Sequence, residues 1–218
     1  MGTLLEKAAK AEQPPMLRGF EHLQRFWEPD TERWTTKILA GEYYVTCHDE
    51  AITTVLGSCI SACVRDPQRG IGGMNHFMLP DDSAAEPNGW LDPAVRLATR
   101  YGSYAMESLI NDLLKLGAAR DRLELKLFGG GRILTSMTDV GARNIDFVLS
   151  FVRIEGYTIA AQDLGGMQPR KIVYFPALGR VRVRRLRAIE NRSIADRERI
   201  YLASLGAQGD GGDVELFD

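Results

Sequence analysis

The chain has 218 residues, 44% hydrophobic and 26% charged, with 27 Lys and Arg against 29 Asp and Glu for a formal charge of -2. That length favours one core, and the even charge balance selects neither nucleic acid nor a membrane surface as a partner. No stretch reaches the roughly 18 apolar residues of a membrane span and the start lacks a basic-then-apolar secretory layout, so no membrane insertion is expected and the cytoplasm is the expected compartment.

Residues 1–36 carry Pro14, Pro15 and Pro29 among charges, with Phe26, Trp27 and Trp34 as isolated aromatics and no sustained period. They read as an N-terminal extension. From Lys37 the texture changes to short strand-like runs, "KILAGEYYVT", "AITTVLG", "CISACVRD" and "IGGMNHFML", separated by turn formers such as "DPQRG". The polar, proline-broken segment 81–93 is a long loop, a kind of segment that often carries function. Beyond it, Met106, Leu109, Ile110, Leu113 and Leu116 recur at helical spacing and Gly117 marks a stop. "LELKLF" alternates as a strand, and residues 138–156 form a second helix with Ile145, Val148, Phe151 and Val152 on one face. "YTIAAQDL", "KIVYFP" and "GRVRVRRL" complete the strands, the last two joined as a hairpin. The arginines of the last run read as one solvated strand face. Residues 189–218 are a charged, then Gly-rich, C-terminal tail, expected to be partly disordered. The pattern predicts a single α+β (mixed α/β) sandwich domain over 37–188, with helices covering at least one sheet face.

Three cysteines, an odd number, are expected to form no disulfide framework in a reducing compartment. A metal site built from Cys47, His48, Cys59, Cys63 and His76 is disfavoured. On one strand Cys59 and Cys63 would stand about 13 Å apart, too far for a single zinc, and "CISAC" lacks C-x-x-C spacing. No nucleotide motif accompanies the glycines of "LFGGGR", which read as a tight turn after a strand, so neither metal nor cofactor is expected. Cys47 and Cys63 are expected to be small buried hydrophobes. Cys59 differs because Gly57 and Ser58 precede it. That pair can bend the chain and bring backbone N–H groups to a reacting carbonyl. A nucleophilic thiol needs a base, and the "DPQRG" turn could fold His76 back beside Cys59. Strand pairing alone leaves a packed core histidine equally open.

The ordered motifs "LGSCISACVRDPQRGIGGMNHFMLP", "RYGSYAMESLINDLLKLGA", "LELKLFGGGR", "GARNIDFV" and "DLGGMQPRKI" resemble those of the chemoreceptor glutamine deamidase family, CheD, over residues 38–188. The resemblance implies a three-layer α/β sandwich and a site in which Cys59 is the nucleophile, His76 its base and Thr53 the accompanying threonine. Thr54, next door, is the substitute for Thr53. It further implies that a glutamine side chain of a methyl-accepting chemoreceptor is converted to glutamate through a thioester, with Thr53 orienting the imidazole by its hydroxyl or its backbone carbonyl. The oxyanion is expected at N–H groups near Gly57, Ser58 and Cys59. Arg143, Asn144 and Asp163 are expected to hold loops. The loop after the His76 strand is the candidate receptor contact, with Trp90 as aromatic anchor or else packed on the core. Two other readings use the same residues: a binding module for a CheC-type response-regulator phosphatase, and a small-molecule amidase or thioesterase.

Overall fold

The computed structural model describes residues 11–80, 93–133 and 139–208. Strands β1 (Gln24–Glu28), β2 (Arg33–Lys37), β4 (Ala51–Leu56), β9 (Arg170–Phe175) and β10 (Arg180–Arg185) form one mixed sheet in the order β1-β2-β4-β9-β10. Its β2 and β4 run parallel and its other neighbours antiparallel. A second mixed sheet takes β3 (Tyr43–Thr46), β6 (Ile71–Asn75), β5 (Ile60–Asp66), β7 (Glu124–Gly129) and β8 (Thr158–Leu164) in the order β3-β6-β5-β7-β8, with only β7 and β8 parallel.

The alternation of β4 sends Ile52, Thr54 and Leu56 to one face and Thr53 and Val55 to the other. Ile52 and Leu56 share one apolar cluster with Ile60, Ala62 and Val64 of β5, and the Tyr174 hydroxyl donates to the Val64 carbonyl across the two sheets at 3.3 Å. Helices α1 (Pro93–Lys115) and α2 (Val140–Ile154) pack on the second sheet and on each other. From α1 the stripe Met106, Leu109, Ile110 and Leu113 is buried, as its spacing requires. Gly117, at φ +97°, ends that helix, and Gly156, at φ +72°, follows α2. Asp139 caps α2, its side chain accepting from the Ala142 N–H at 3.0 Å. The result is an α+β sandwich of two mixed sheets with helices on one of them.

Two segments outside the expected domain prove to be structured. Residues 24–36, expected as extension, supply β1 and all of β2 but Lys37, with Trp27 opposite Trp34 in register and their rings edge to face at 6.1 Å. Each strand is five residues long and β2 buries Thr35 and Thr36 beside Trp34, so neither shows an apolar alternation. Residues 189–208, expected as tail, form all of α3 (Ala188–Gln208) but its first residue, and the helix lays Ile194, Glu198, Leu202 and Leu205 against the body of the protein.

The β5–β6 hairpin turns on Asp66. Its carboxylate accepts from the Gln68 and Ala119 N–H groups at 3.0 Å each and pairs with Arg122 at 2.7 Å. These donors hold the Asp66 carboxyl far below the usual carboxylate range, the Arg122 guanidinium contributing most. The turn therefore returns the chain antiparallel, Cys63 facing Met74.

Candidate active site

β4 ends at Leu56 and β5 begins at Ile60, so Cys59 lies in the bend between two central strands rather than inside one. The carbonyls of that bend are all held from behind. Gly131 N–H donates to Gly57 at 2.7 Å, Asn144 Nδ2 to Ser58 at 2.8 Å, and Gly130 N–H to Cys59 at 2.8 Å. Gly129, at φ +113°, lets β7 pass this closely: a Cβ there would stand 2.0 Å from the Cys59 carbonyl oxygen. The "GGG" run is thus a turn that also backs the bend. Asn144 reaches further, accepting from the Leu79 N–H at 2.9 Å and so tying the bend to the segment after His76.

With its carbonyls engaged behind, the bend offers its N–H groups to the other side. There they meet Glu198 of α3. Gly57 N–H donates to Oε1 at 2.8 Å, Ser58 N–H and Ser58 Oγ donate to Oε2 at 2.8 and 2.6 Å, and Cys59 N–H reaches Oε1 at 3.4 Å. Gly57 has no side chain where one would collide, since a Cβ would lie 2.8 Å from each carboxylate oxygen. Four donors converging on one carboxylate make an anion cradle.

His76 follows β6, and the Ile60–Phe77 bridge draws that segment alongside the bend. Cys59 Sγ, a ring nitrogen of His76 and a Glu198 carboxylate oxygen all lie within 4.8 Å of one another. Nδ1 of His76 is 2.7 Å from Thr54 Oγ1, which is also 2.7 Å from the Ile38 carbonyl. A hydroxyl has one proton, and the carbonyl can only accept it. Thr54 therefore accepts from Nδ1–H, and Nε2 is left as the basic nitrogen. Nε2 is buried and has no hydrogen-bond partner among the described residues.

Thr53 is not the residue on the imidazole. Successive strand residues face opposite ways, and its hydroxyl donates to the Ile172 carbonyl at 2.8 Å while its own carbonyl accepts from Ile38 N–H at 3.0 Å. The orienting contact expected of Thr53 is made by Thr54. We predict that Thr54→Val lowers kcat about tenfold and moves its pH profile, with KM little changed, because Nδ1–H loses its acceptor. Thr53→Val should keep the wild-type pH profile, and steady-state rates between about pH 5 and pH 9 separate the two.

Cys63 is buried in β5 as expected, whereas Cys47 is exposed after the end of β3. Arg143 holds the Pro80 carbonyl at 2.8 Å, and Asp163 holds the buried Arg170 at 2.9 Å. Trp90 and the loop 81–92 lie outside the described residues.

Cys59 is 0% exposed and His76 5%. Burial pushes the Cys59 thiol well above its ordinary range, and the Glu198 carboxylate raises it further. Burial lowers His76 to about 4, against an opposing pull from Glu198. With α3 in place the pair is therefore a neutral thiol beside a neutral imidazole. Cys59, His76 and Glu198 also have the composition of a metal site. Both oxygens of Glu198, however, already face N–H or O–H donors, a setting that suits an anion and repels a cation.

A thiol, a base with a fixed tautomer and a nest of N–H donors beside the sulfur are the parts of acyl-transfer chemistry at an amide carbon. Hydrolysis of an amide is a reaction that such a set of parts would serve. The family described as CheD chemotactic sensory transduction matches residues 78–185. The chain is 52% identical over 204 residues to a probable chemoreceptor glutamine deamidase CheD of Halorhodospira halophila, covering 94% of each. It is 54% identical over 195 residues to one of Hydrogenovibrio crunogenus, covering 89% of this chain and 100% of that one. A third, of Hahella chejuensis, is 47% identical over 215 residues, covering 98% of this chain and all of the other. The chain belongs to the CheD family.

Proposed function

We propose that this protein deamidates glutamine side chains of chemoreceptors, releasing ammonia and leaving glutamate, with Cys59 as nucleophile and His76 as general base and acid. The observation that carries the reading is the carboxylate cradle. Gly57, Ser58 and Cys59 N–H groups hold the carboxyl of a glutamate side chain, the product of that reaction, next to the buried Cys59 thiol and His76. His76 Nε2 takes the Cys59 proton and Sγ attacks the carboxamide carbon, the oxyanion forming on the N–H groups. The imidazolium then protonates the leaving ammonia. Water activated by the returned base hydrolyses the thioester. Thr54 keeps Nδ1 protonated throughout, and Thr53 supports β4 by its bond to β9.

The names of the relatives support chemoreceptors as the substrate class. No described helix is long and apolar enough to cross a membrane. The proposed place of action is the cytoplasmic part of a receptor, reached from the cytoplasm. Docking to a CheC-type phosphatase rests on the family resemblance alone. The test is incubation with a receptor cytoplasmic fragment and peptide mass spectrometry. Single glutamines should become glutamates, with excess chelator making no difference. Unchanged glutamines would refute the reading, and loss of turnover with chelator would refute the metal-free route.

A further inference from the structure

The Cys59 sulfur is enclosed, yet a carboxamide carbon must come within about 3–3.5 Å of it to react. The space in front of it is filled from within the chain. α3 lies over the site and turns one narrow face inward: Ile194, Glu198, Leu202 and Leu205 are each at most 5% exposed, spaced as successive turns of a helix, while Ile200 on the other side is 71% exposed. Tyr201, close to Glu198 on the same helix, hydrogen-bonds through its hydroxyl to the Tyr101 hydroxyl of α1. Beside α3 a groove of 670 Å³ opens along Phe26, Ile38 and Ala40 down to Thr54 and His76, so the site has room at its flank but none at the sulfur.

No ion pair is formed by Glu198 with any described Lys or Arg; its described partners are the N–H and O–H groups of Gly57, Ser58 and Cys59 and the Cys59 thiol. A buried carboxylate on an otherwise polar helix would ordinarily be costly. Here the backbone N–H groups of Gly57, Ser58 and Cys59 and the Ser58 hydroxyl offset that cost. Building on the function proposed above, we propose that α3 is an internal product analogue. It occupies the place of the substrate helix, with Glu198 standing where the converted side chain stands. The substrate then enters as a helix that presents glutamine with apolar residues four before and four and seven after it. α3 must lift away before that helix can dock.

The geometry makes an unusual variant informative. In Glu198→Gln the carboxamide oxygen can take the Oε1 position at Gly57 and Cys59 N–H; its NH2 then faces Ser58 Oγ, which turns to accept, and Ser58 N–H, which loses its acceptor, so the carboxamide is held less tightly than the carboxylate. Sγ would bond to the carboxamide carbon at position 198, the C–N bond would break with ammonia leaving on a proton from His76, and water would cleave the thioester. The net reaction adds one water, releases ammonia and restores Glu198 and the thiol.

Peptide mass spectrometry on the full-length Glu198→Gln protein should find residue 198 converted to glutamate, and the same peptide unconverted when Cys59→Ala is added. Glu198→Ala, which cannot be converted, should loosen α3. Alkylation of Cys59 by iodoacetamide should then speed up at least about tenfold. KM for a receptor fragment should fall several-fold, because the open state no longer competes with a docked α3. A carboxamide that persists at position 198 in a protein that still deamidates the receptor fragment would overturn the inference and leave the proposed function standing. So would unchanged alkylation in Glu198→Ala, or loss of its receptor activity, which would make Glu198 part of the chemistry. Conversion at position 198 with no receptor glutamine changed would uphold the inference and overturn the proposed substrate.

Discussion

Replacing Cys59 by Ala should abolish receptor deamidation, a loss of more than about 10⁴-fold, in a protein that still folds. The bend holds its shape through its backbone, by the Gly130, Gly131 and Asn144 bonds, and not through the thiol. Loss of one buried sulfur should therefore cost on the order of 1 kcal/mol. Cys63→Ala should behave the other way round. Cys63 lies inside β5, opposite Met74 on one side and Lys126 on the other, with no histidine in its register. Its removal should lower the melting temperature by a few degrees and leave turnover in place. Mass-spectrometric turnover and thermal melts of both variants check this pair of outcomes. Full activity in a folded Cys59→Ala protein would remove the thioester route, and loss of activity in Cys63→Ala would move the nucleophile.

The uneven legibility of this site follows from which contacts are local. Cys59 and His76 could be paired from the chain because a hairpin joins them, and its "DPQRG" turn announces itself through Asp66 and Gly70. The helices α1 and α2 were legible because each buries one continuous apolar stripe. The choice between Thr53 and Thr54 was not, since both are buried on one strand and only the positions of His76 and Ile172 decide which faces the imidazole. Strand parity relative to the dyad would have been the usable signal. Asn144 lies 86 residues from the Ser58 carbonyl it holds, and nothing local distinguishes it from an asparagine on the solvated face of its helix. The strands β1 and β2 were hidden by their shortness and by buried threonines. Glu198 was concealed most thoroughly. Ile194, Tyr201, Leu202 and Leu205 do recur at helical spacing, but a glutamate among arginines on such a helix reads as a solvated charge until the cradle is seen.

The His76→Asn protein should lose at least about 10² in kcat, because the thiol loses both the base that ionises it and the acid that expels ammonia. It should also differ from wild type in how stability depends on pH. Burial lowers folded His76 to about 4, below the roughly 6.5 of an unfolded histidine. Between those values the unfolded chain carries a proton that the folded chain lacks, so acidification favours unfolding. The contribution is fully present above the unfolded value and is lost as pH falls toward the folded one, by up to about 1.4 kcal/mol per pH unit. Cys59, raised by burial, changes charge only at alkaline pH and does not enter this window. Wild type should therefore lose more stability than His76→Asn between about pH 7 and pH 5 in denaturant melts. Equal slopes would mean that His76 is already protonated or open to water in the folded state. Neither fits a buried Nε2 with Nδ1 closed off by Thr54, so the melts test independently of turnover whether this histidine is held as a neutral base.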